Sequence, residues 1–307
     1  MTSDNALTTV TDIQPAIDLV INSVDSIHTR RSYSRALYDF MEWWESENKP
    51  LLTKMTVNRY KAEVLEPSGY SPATINLRLS AIKKLANEAA DNEMIEQSQA
   101  NGINRIKGVK SAGVRTGNWL ELEQAQALLN APDTNTLKGI RDRAILSVLI
   151  GAGLRRSETA ALKFDQIQQR DSRWVILDIS GKGNRVRTVP ISSWVKMAID
   201  EWTTAADIYT GFVFRPLYKG GKVAGEKVTP MLIYRVADLY AKELGFNTLA
   251  VHDLRRTHAK LALKGGAQLD QIQLTLGHAS LRTTQKYLGT ELDLQNAPSD
   301  HLGLRLE

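Results

Sequence analysis

Apolar residues recur along the chain mostly at helical intervals. From Thr29 to Glu47, Tyr33, Leu37, Phe40, Met41 and Trp44 return at steps of three and four, which predicts an amphipathic helix. Ser71-Pro72 supplies a capping hydroxyl followed by a proline in the first turn, so a second helix is expected from there towards Ala90, with Ile75, Leu79, Ile82 and Ala86 inward. Residues 1–27 are polar and acidic apart from an apolar patch at Ile17 to Ile21. The boundaries expected are a flexible N-terminus over 1–14 and a small helical domain over 15–100. Between Gln97 and Leu120 no period is sustained, and Gly102, Gly108, Gly113 and Gly117 punctuate the stretch. Residues 101–118 are therefore expected to be a linker.

A second domain is expected over 119–290. Leu120, Leu122, Ala125, Leu128 and Leu129 suggest one helix, and Leu137 to Ile150 a buried one that stops at Gly151-Ala152-Gly153. Trp174 to Ile179 reads as a strand, 180–184 as a tight glycine-rich turn, and Arg185 to Val189 as a return strand halted by Pro190. Helices are predicted at about 192–205, 230–244, 252–264, 268–276 and 280–288. The fold class expected is mainly α with a small antiparallel β-sheet (α+β). The remaining tail, 291–307, carries Leu302, Leu304 and Leu306 at a period of two, which suits a short added strand better than a helix.

Composition changes the picture by exclusion. The 307 residues are 42% hydrophobic and 24% charged, enough for real cores and consistent with about two domains. No apolar run approaches the roughly 20 residues that span a bilayer, and Met1 to Val10 lack the basic start and apolar stretch of a secretory signal. A cytoplasmic location without membrane partners is expected. There is no cysteine, so disulfides, thiolate metal sites and a cysteine nucleophile are excluded, and no metal or other cofactor is expected.

The net charge of +5 is unevenly spread: residues 1–100 hold 10 Lys and Arg against 14 Asp and Glu, leaving the rest of the chain strongly basic. The linker contains Arg105, Lys107, Lys110 and Arg115 with no acid, and residues 28–84 are also basic on balance. Such segments favour a polyanionic partner, nucleic acid first. Arg30, Arg31, Arg35, Arg78, Lys83 and the four linker cations are the candidates for DNA contact.

Five scattered pieces carry candidate chemistry. Arg155, in Gly153-Leu154-Arg155-Arg156-Ser157-Glu158, sits where one helix ends and another starts, a place for a guanidinium to fork onto a phosphate; a plain surface arginine capping a helix is the other reading. Lys182 stands between glycines at a hairpin tip, a pattern also common in ordinary turns. His252 and Arg255 are three apart on a helix and share a face. His258 falls off that face and is expected to pack or cap. His278 follows Leu276-Gly277 near a helix start, and Tyr287 comes nine residues later.

Taken in order, these pieces resemble the tyrosine recombinases of the phage-integrase type. The likeness is weaker over 15–100 and strong over 119–289. The resemblance implies a helical, SAM-like core-binding domain and a catalytic domain that together clamp double-stranded DNA. It implies Tyr287 as a nucleophile forming a 3′-phosphotyrosyl intermediate on the way to a Holliday junction. Arg155, Arg255 and His278 would hold the phosphate, Lys182 would protonate the leaving 5′-oxygen and His252 would handle the tyrosine proton, with neither ATP nor metal. It further implies a homotetramer on paired recombination sites, with the tail 291–307 passed to a neighbouring protomer; folding back on its own domain is the alternative. An accessory DNA-bending or directionality factor is a candidate partner. Arg156 and Arg256 occupy positions often apolar and histidine, respectively, in the family. The residues around Tyr287 favour an integrase of a phage or mobile element. A dimer resolvase of the Xer type, a type IB topoisomerase and a non-catalytic DNA-binding protein are the competing readings.

Overall fold

A computed structural model of the chain describes residues 12–110, 118–181, 186–278 and 280–288, with Lys286 and Tyr287 described by backbone alone. The chain divides into two compact units, Met1–Val114 and Arg115–Glu307. It is mainly helical with a small antiparallel sheet, as the sequence predicts.

The first unit is a bundle of α1 (Gln14–Asn22), α2 (Ile27–Ser46), α3 (Lys54–Tyr60), α4 (Pro72–Asp91) and α5 (Gln97–Asn104), with a π-helical turn, Lys61–Leu65, after α3. The Ser71 hydroxyl caps α4 by accepting the Thr74 N–H at 3.2 Å. Leu37, Phe40, Trp44, Tyr60, Ile82 and Leu85 fill the centre, and the Phe40 and Tyr60 rings meet edge-to-face at 5.0 Å.

Part of the expected linker belongs to this bundle. Residues 97–104 are helical, Ile103 and Ile106 are buried in the core, and Val109 packs against it. Asn76 secures the far end, donating to the Val109 carbonyl at 2.9 Å and accepting the Val109 N–H at 2.8 Å. A helix of eight residues is too short to show a period, and its glycine, Gly102, is buried rather than solvated.

The second unit is built around α7 (Leu137–Gly151), whose Ala144 to Ile150 are all buried. Around it lie α6 (Leu122–Asn130), α8 (Arg156–Ala161), α9 (Ser193–Ala205), α10 (Pro230–Glu243) and α11 (Val251–Lys264). The sheet runs β1 (Ile167–Arg170), β2 (Arg173–Ser180), β3 (Val186–Pro190), all antiparallel. The sequence did not announce β1: it is polar, and its turn onto β2 uses Asp171 and Ser172, both at positive φ, without the usual glycine. The tip of the β2–β3 hairpin, 182–185, lies outside the described residues.

Finally α12 (Leu269–Leu276) and α13 (Leu281–Leu288) fold against α11 through a separate cluster of Ala259, Ile272, Leu276 and Leu288. The tail 291–307 is outside the described residues.

Candidate active site

The site starts at a sharp corner. α7 ends at Gly151, and Gly153 takes φ +60, which turns the chain into α8. A Cβ at Gly153 would also come within 2.8 Å of the His258 ring. Arg155 is the residue just before α8. Its backbone N–H donates to Glu158 Oε2 at 2.8 Å and its Nη1 to Glu158 Oε1 at 2.8 Å, while 30% of its side chain stays exposed.

α11 crosses behind this corner. Arg255 is 1% exposed; its Nη1 donates to the Gly153 carbonyl at 2.7 Å and its Nη2 to the Leu276 carbonyl. A buried guanidinium thus ties the corner before α8 to the end of α12. His252, one turn earlier, is exposed, and its pKa is lowered, first by burial of part of the ring and then by the charges of Arg255 and Arg256. His258 packs as the sequence suggests: Nδ1 donates to the Ile150 carbonyl at 2.9 Å, at the end of α7.

After α12, Gly277 adopts φ +63 and delivers His278. His278 Nδ1 lies 2.9 Å from the hydroxyl of Thr284, a fully buried residue of α13. The His278 pKa is pushed down to about 4, first by burial and then by the positive charges of Arg255 and Arg155. His252 and Arg187 add to the same effect. The charges of Arg155 and Arg255 thus act on both His252 and His278, although the corner before α8, helix α11 and the turn after α12 supply these residues separately. Tyr287 is on α13, one helical turn beyond Thr284. Lys182 lies outside the described residues.

Two participants were not singled out by sequence reasoning. Glu158, buried on α8, accepts from Arg155 and also from Arg187 of β3, whose Nη1 and Nη2 meet its two oxygens at 3.0 and 2.8 Å. Burial pushes this carboxyl upward, but the hydrogen bonds from Arg187 and Arg155 outweigh it and hold the pKa at about 2. The signal for Arg187 was its spacing: it is two residues before Val189 and shares that residue's inward strand face, where a charge needs a partner.

The candidate DNA contacts in the first unit differ in availability. Arg31 and Arg35 are exposed and one turn apart on α2. Arg30 is exposed but donates to the Val24 carbonyl through Nε and Nη2. Arg105, Lys107 and Lys110 are exposed. Lys83 is half-buried and donates to the carbonyls of Asn104 and Ile106. Arg78 is withdrawn from the surface at 6% exposure, paired to Asp39 at 2.7 Å and stacked over Tyr70, so it holds the bundle together. Arg115 lies outside the described residues.

Known proteins share this organisation. The model of the phage integrase family matches residues 118–291, and that of the phage integrase N-terminal SAM-like domain matches 17–93. The chain is 30% identical to tyrosine recombinase XerC of Corynebacterium glutamicum over 91% of this chain and 86% of the relative. To XerC of Pelobacter propionicus it is 37% identical over 57% of this chain and 56% of the relative. Among solved structures, XerH recombinase bound to a difH substrate in a post-cleavage complex aligns with TM-score 0.70 at 19% identity, covering 94% of this chain and 87% of that one. A lambda integrase dimer bound to a core site aligns with TM-score 0.68 at 15% identity, covering 92% and 78%. At such identities the structural likeness speaks for the fold.

Proposed function

The chain belongs to the phage integrase family and is a tyrosine-type site-specific recombinase that cleaves and rejoins DNA, and we propose that Tyr287 is its nucleophile and Arg155, His252, Arg255 and His278 form its phosphate site. The observation that carries this reading is that Arg155 and Arg255 both lie against Glu158, with Arg255 also bonded to the carbonyls of Gly153 and Leu276 beside Arg155 and His278, and with His252 one turn before Arg255 on the same helix.

A tyrosine hydroxyl with an ordinary pKa near about 10 attacks poorly at neutral pH unless the site stabilises the developing charge. In the proposed step the Tyr287 oxygen bonds to the scissile phosphorus and the bond to the 5′-oxygen breaks. The products are a 3′-phosphotyrosyl link and a 5′-hydroxyl, which later attacks the link to restore a phosphodiester, so no ATP is spent. Arg155 and Arg255 hold the non-bridging oxygens as charge grows on them. His278, neutral at pH 7 because of its low pKa, contributes a hydrogen bond without adding charge. If Thr284 donates to Nδ1, the proton of the ring sits on Nε2, directed at the phosphate. Lys182 protonates the leaving oxygen, and His252 takes the tyrosine proton.

The DNA partners are a pair of recombination sites, bridged by a tetramer. The biological role proposed is integration or excision of a phage or mobile element, in the cytoplasm and with an accessory DNA-bending or directionality protein. One observation favours a second reading, dimer resolution: curated relatives matching most of the chain are XerC recombinases. Joining of an element end to a separate target by the purified protein would support the first role. Reaction confined to two copies of a chromosomal site would support the second.

Tyr287→Phe tests the chemistry. The variant should bind its site within a few-fold of the parent, since one hydroxyl contributes little to backbone contact. It should form no covalent adduct on a nicked suicide substrate. Adduct formation by the variant would move the nucleophile elsewhere, with Tyr234 and Tyr240 next in line.

A further inference from the structure

Arg187 binds three elements at once. Its side chain is 9% exposed on β3. Nε donates to the Thr275 carbonyl at 2.8 Å, in the last turn of α12, while Nη1 and Nη2 fork onto Glu158 of α8. Its Cδ also lies under Gly277, where an added Cβ would approach it to 2.9 Å, so the turn that delivers His278 rests on the Arg187 stem.

The electrostatics give this arrangement a consequence for the reaction. Glu158 carries one negative charge, is 4% exposed, and has three guanidiniums around it: those of Arg155 and Arg187 at hydrogen-bond distance and that of Arg255 at 4.0 Å. A buried carboxylate with Arg155 as its main partner would compete with a DNA phosphate for that arginine. With Arg187 forked on both oxygens, the carboxylate is already neutralised, and the charge of Arg155 is left to act on an incoming anion. The carboxylate still fixes Arg155 through its backbone N–H.

We infer that Arg187 is a positioning residue for recombination, which neutralises Glu158 so that Arg155 can serve the phosphate and which fixes the turn bearing His278. The inference rests on the reading of Arg155 and His278 as phosphate ligands and goes beyond it in naming what holds them ready.

Single-turnover cleavage of a nicked suicide substrate by the full chain tests it, with half-site binding measured alongside and Y287F as the control. R187M, which keeps the length of the stem, should bind within about threefold of the parent and cleave about a hundredfold slower, the order of loss seen when one transition-state contact is removed. Adding E158Q to R187M should recover about tenfold of that loss, because a neutral amide no longer competes for Arg155. A purely structural role gives no such recovery: a double variant as slow as R187M overturns the inference.

So does an R187M protein that cleaves within about threefold of the parent while Y287F forms no adduct, since the phosphate-site reading then stands without Arg187. An active Y287F instead removes the reading itself. Should circular dichroism show R187M unfolded, R187Q decides, since it keeps polar groups at the position and loses the charge that neutralises Glu158. Cleavage about tenfold or more down with binding retained supports the inference, and cleavage within about threefold overturns it.

Discussion

His278 has its pKa pushed down to about 4 by burial and then by Arg255 and Arg155, against an ordinary value of 6.5. Between those two pH values the unfolded chain binds more protons at this position than the folded one. Stability therefore falls as pH drops from 6.5 towards 4. His252 and His258 are shifted the same way, each first by burial. Glu158 acts lower: with its carboxyl held near about 2 instead of 4.5, its contribution is lost only as pH falls from 4.5 towards 2. Thermal melts from pH 7.5 to 4.5 should show a declining midpoint, and His278→Gln should flatten the decline. A variant with the slope of the parent would remove His278 as a source of the effect.

Lys182 poses a separate question of chemistry. Replacing the bridging 5′-oxygen of the substrate by sulfur makes a leaving group that needs almost no proton. If Lys182 is the acid, Lys182→Ala should cleave ordinary DNA about a hundredfold or more slowly and regain most of that rate on the 5′-thio substrate. Equal defects on the two substrates would assign the lysine to charge stabilisation.

The helices of the first unit separate cations that hold the fold from cations available to DNA. Arg78 on α4 reaches Asp39 on α2 and lies over the Tyr70 ring. Arg78→Met should therefore destabilise the bundle by about 1–2 kcal/mol, less than for a fully buried pair because Asp39 is 40% exposed and keeps water. The same change should leave the salt dependence of DNA binding unaltered. Arg35→Ala should do the reverse, with little effect on the melt and a loss of about one from the slope of log K against log salt if Arg35 meets a phosphate. Equal salt slopes for Arg35→Ala and the parent would exclude that contact.

At this scale the sequence was largely legible. Long helices with a sustained apolar period, such as α2, α4 and α7, appear where the spacing predicts them, within a few residues. Short or polar elements did not: α5 has only eight residues and packs on helices earlier in the chain, and β1 is a polar strand joined to β2 by a turn without glycine, so neither shows a sustained apolar period. The site divides in the same way. Arg155, His252, Arg255 and His278 were readable as an ordered set of residue types. The Arg187–Glu158 pair was not, because an ion pair spanning 29 residues leaves only an inward-facing charge as its trace.

The molecule as a whole consists of two units with separate cores. The proposed tetramer needs a connection between protomers, and the tail 291–307 is the segment proposed to supply it. Leu288 is buried against Ala259, Ile272 and Leu276, so α13 is anchored up to its last residue. Beyond it come Leu292 and Leu294, Pro298, and then Leu302, Leu304 and Leu306. Apolar side chains on a terminal segment gain little in water unless something covers them. A neighbouring protomer that covers the tail would couple assembly to α13, the helix of Tyr287, so cleavage would depend on having a neighbour. Deleting residues 291–307 should leave half-site binding by one protomer nearly intact while abolishing cooperative filling of a full site and paired-site complexes, read by gel shift and light scattering. A truncated protein that still forms tetramers on DNA would sink the proposal. One that binds no half-site and melts early would show that the tail instead completes its own domain.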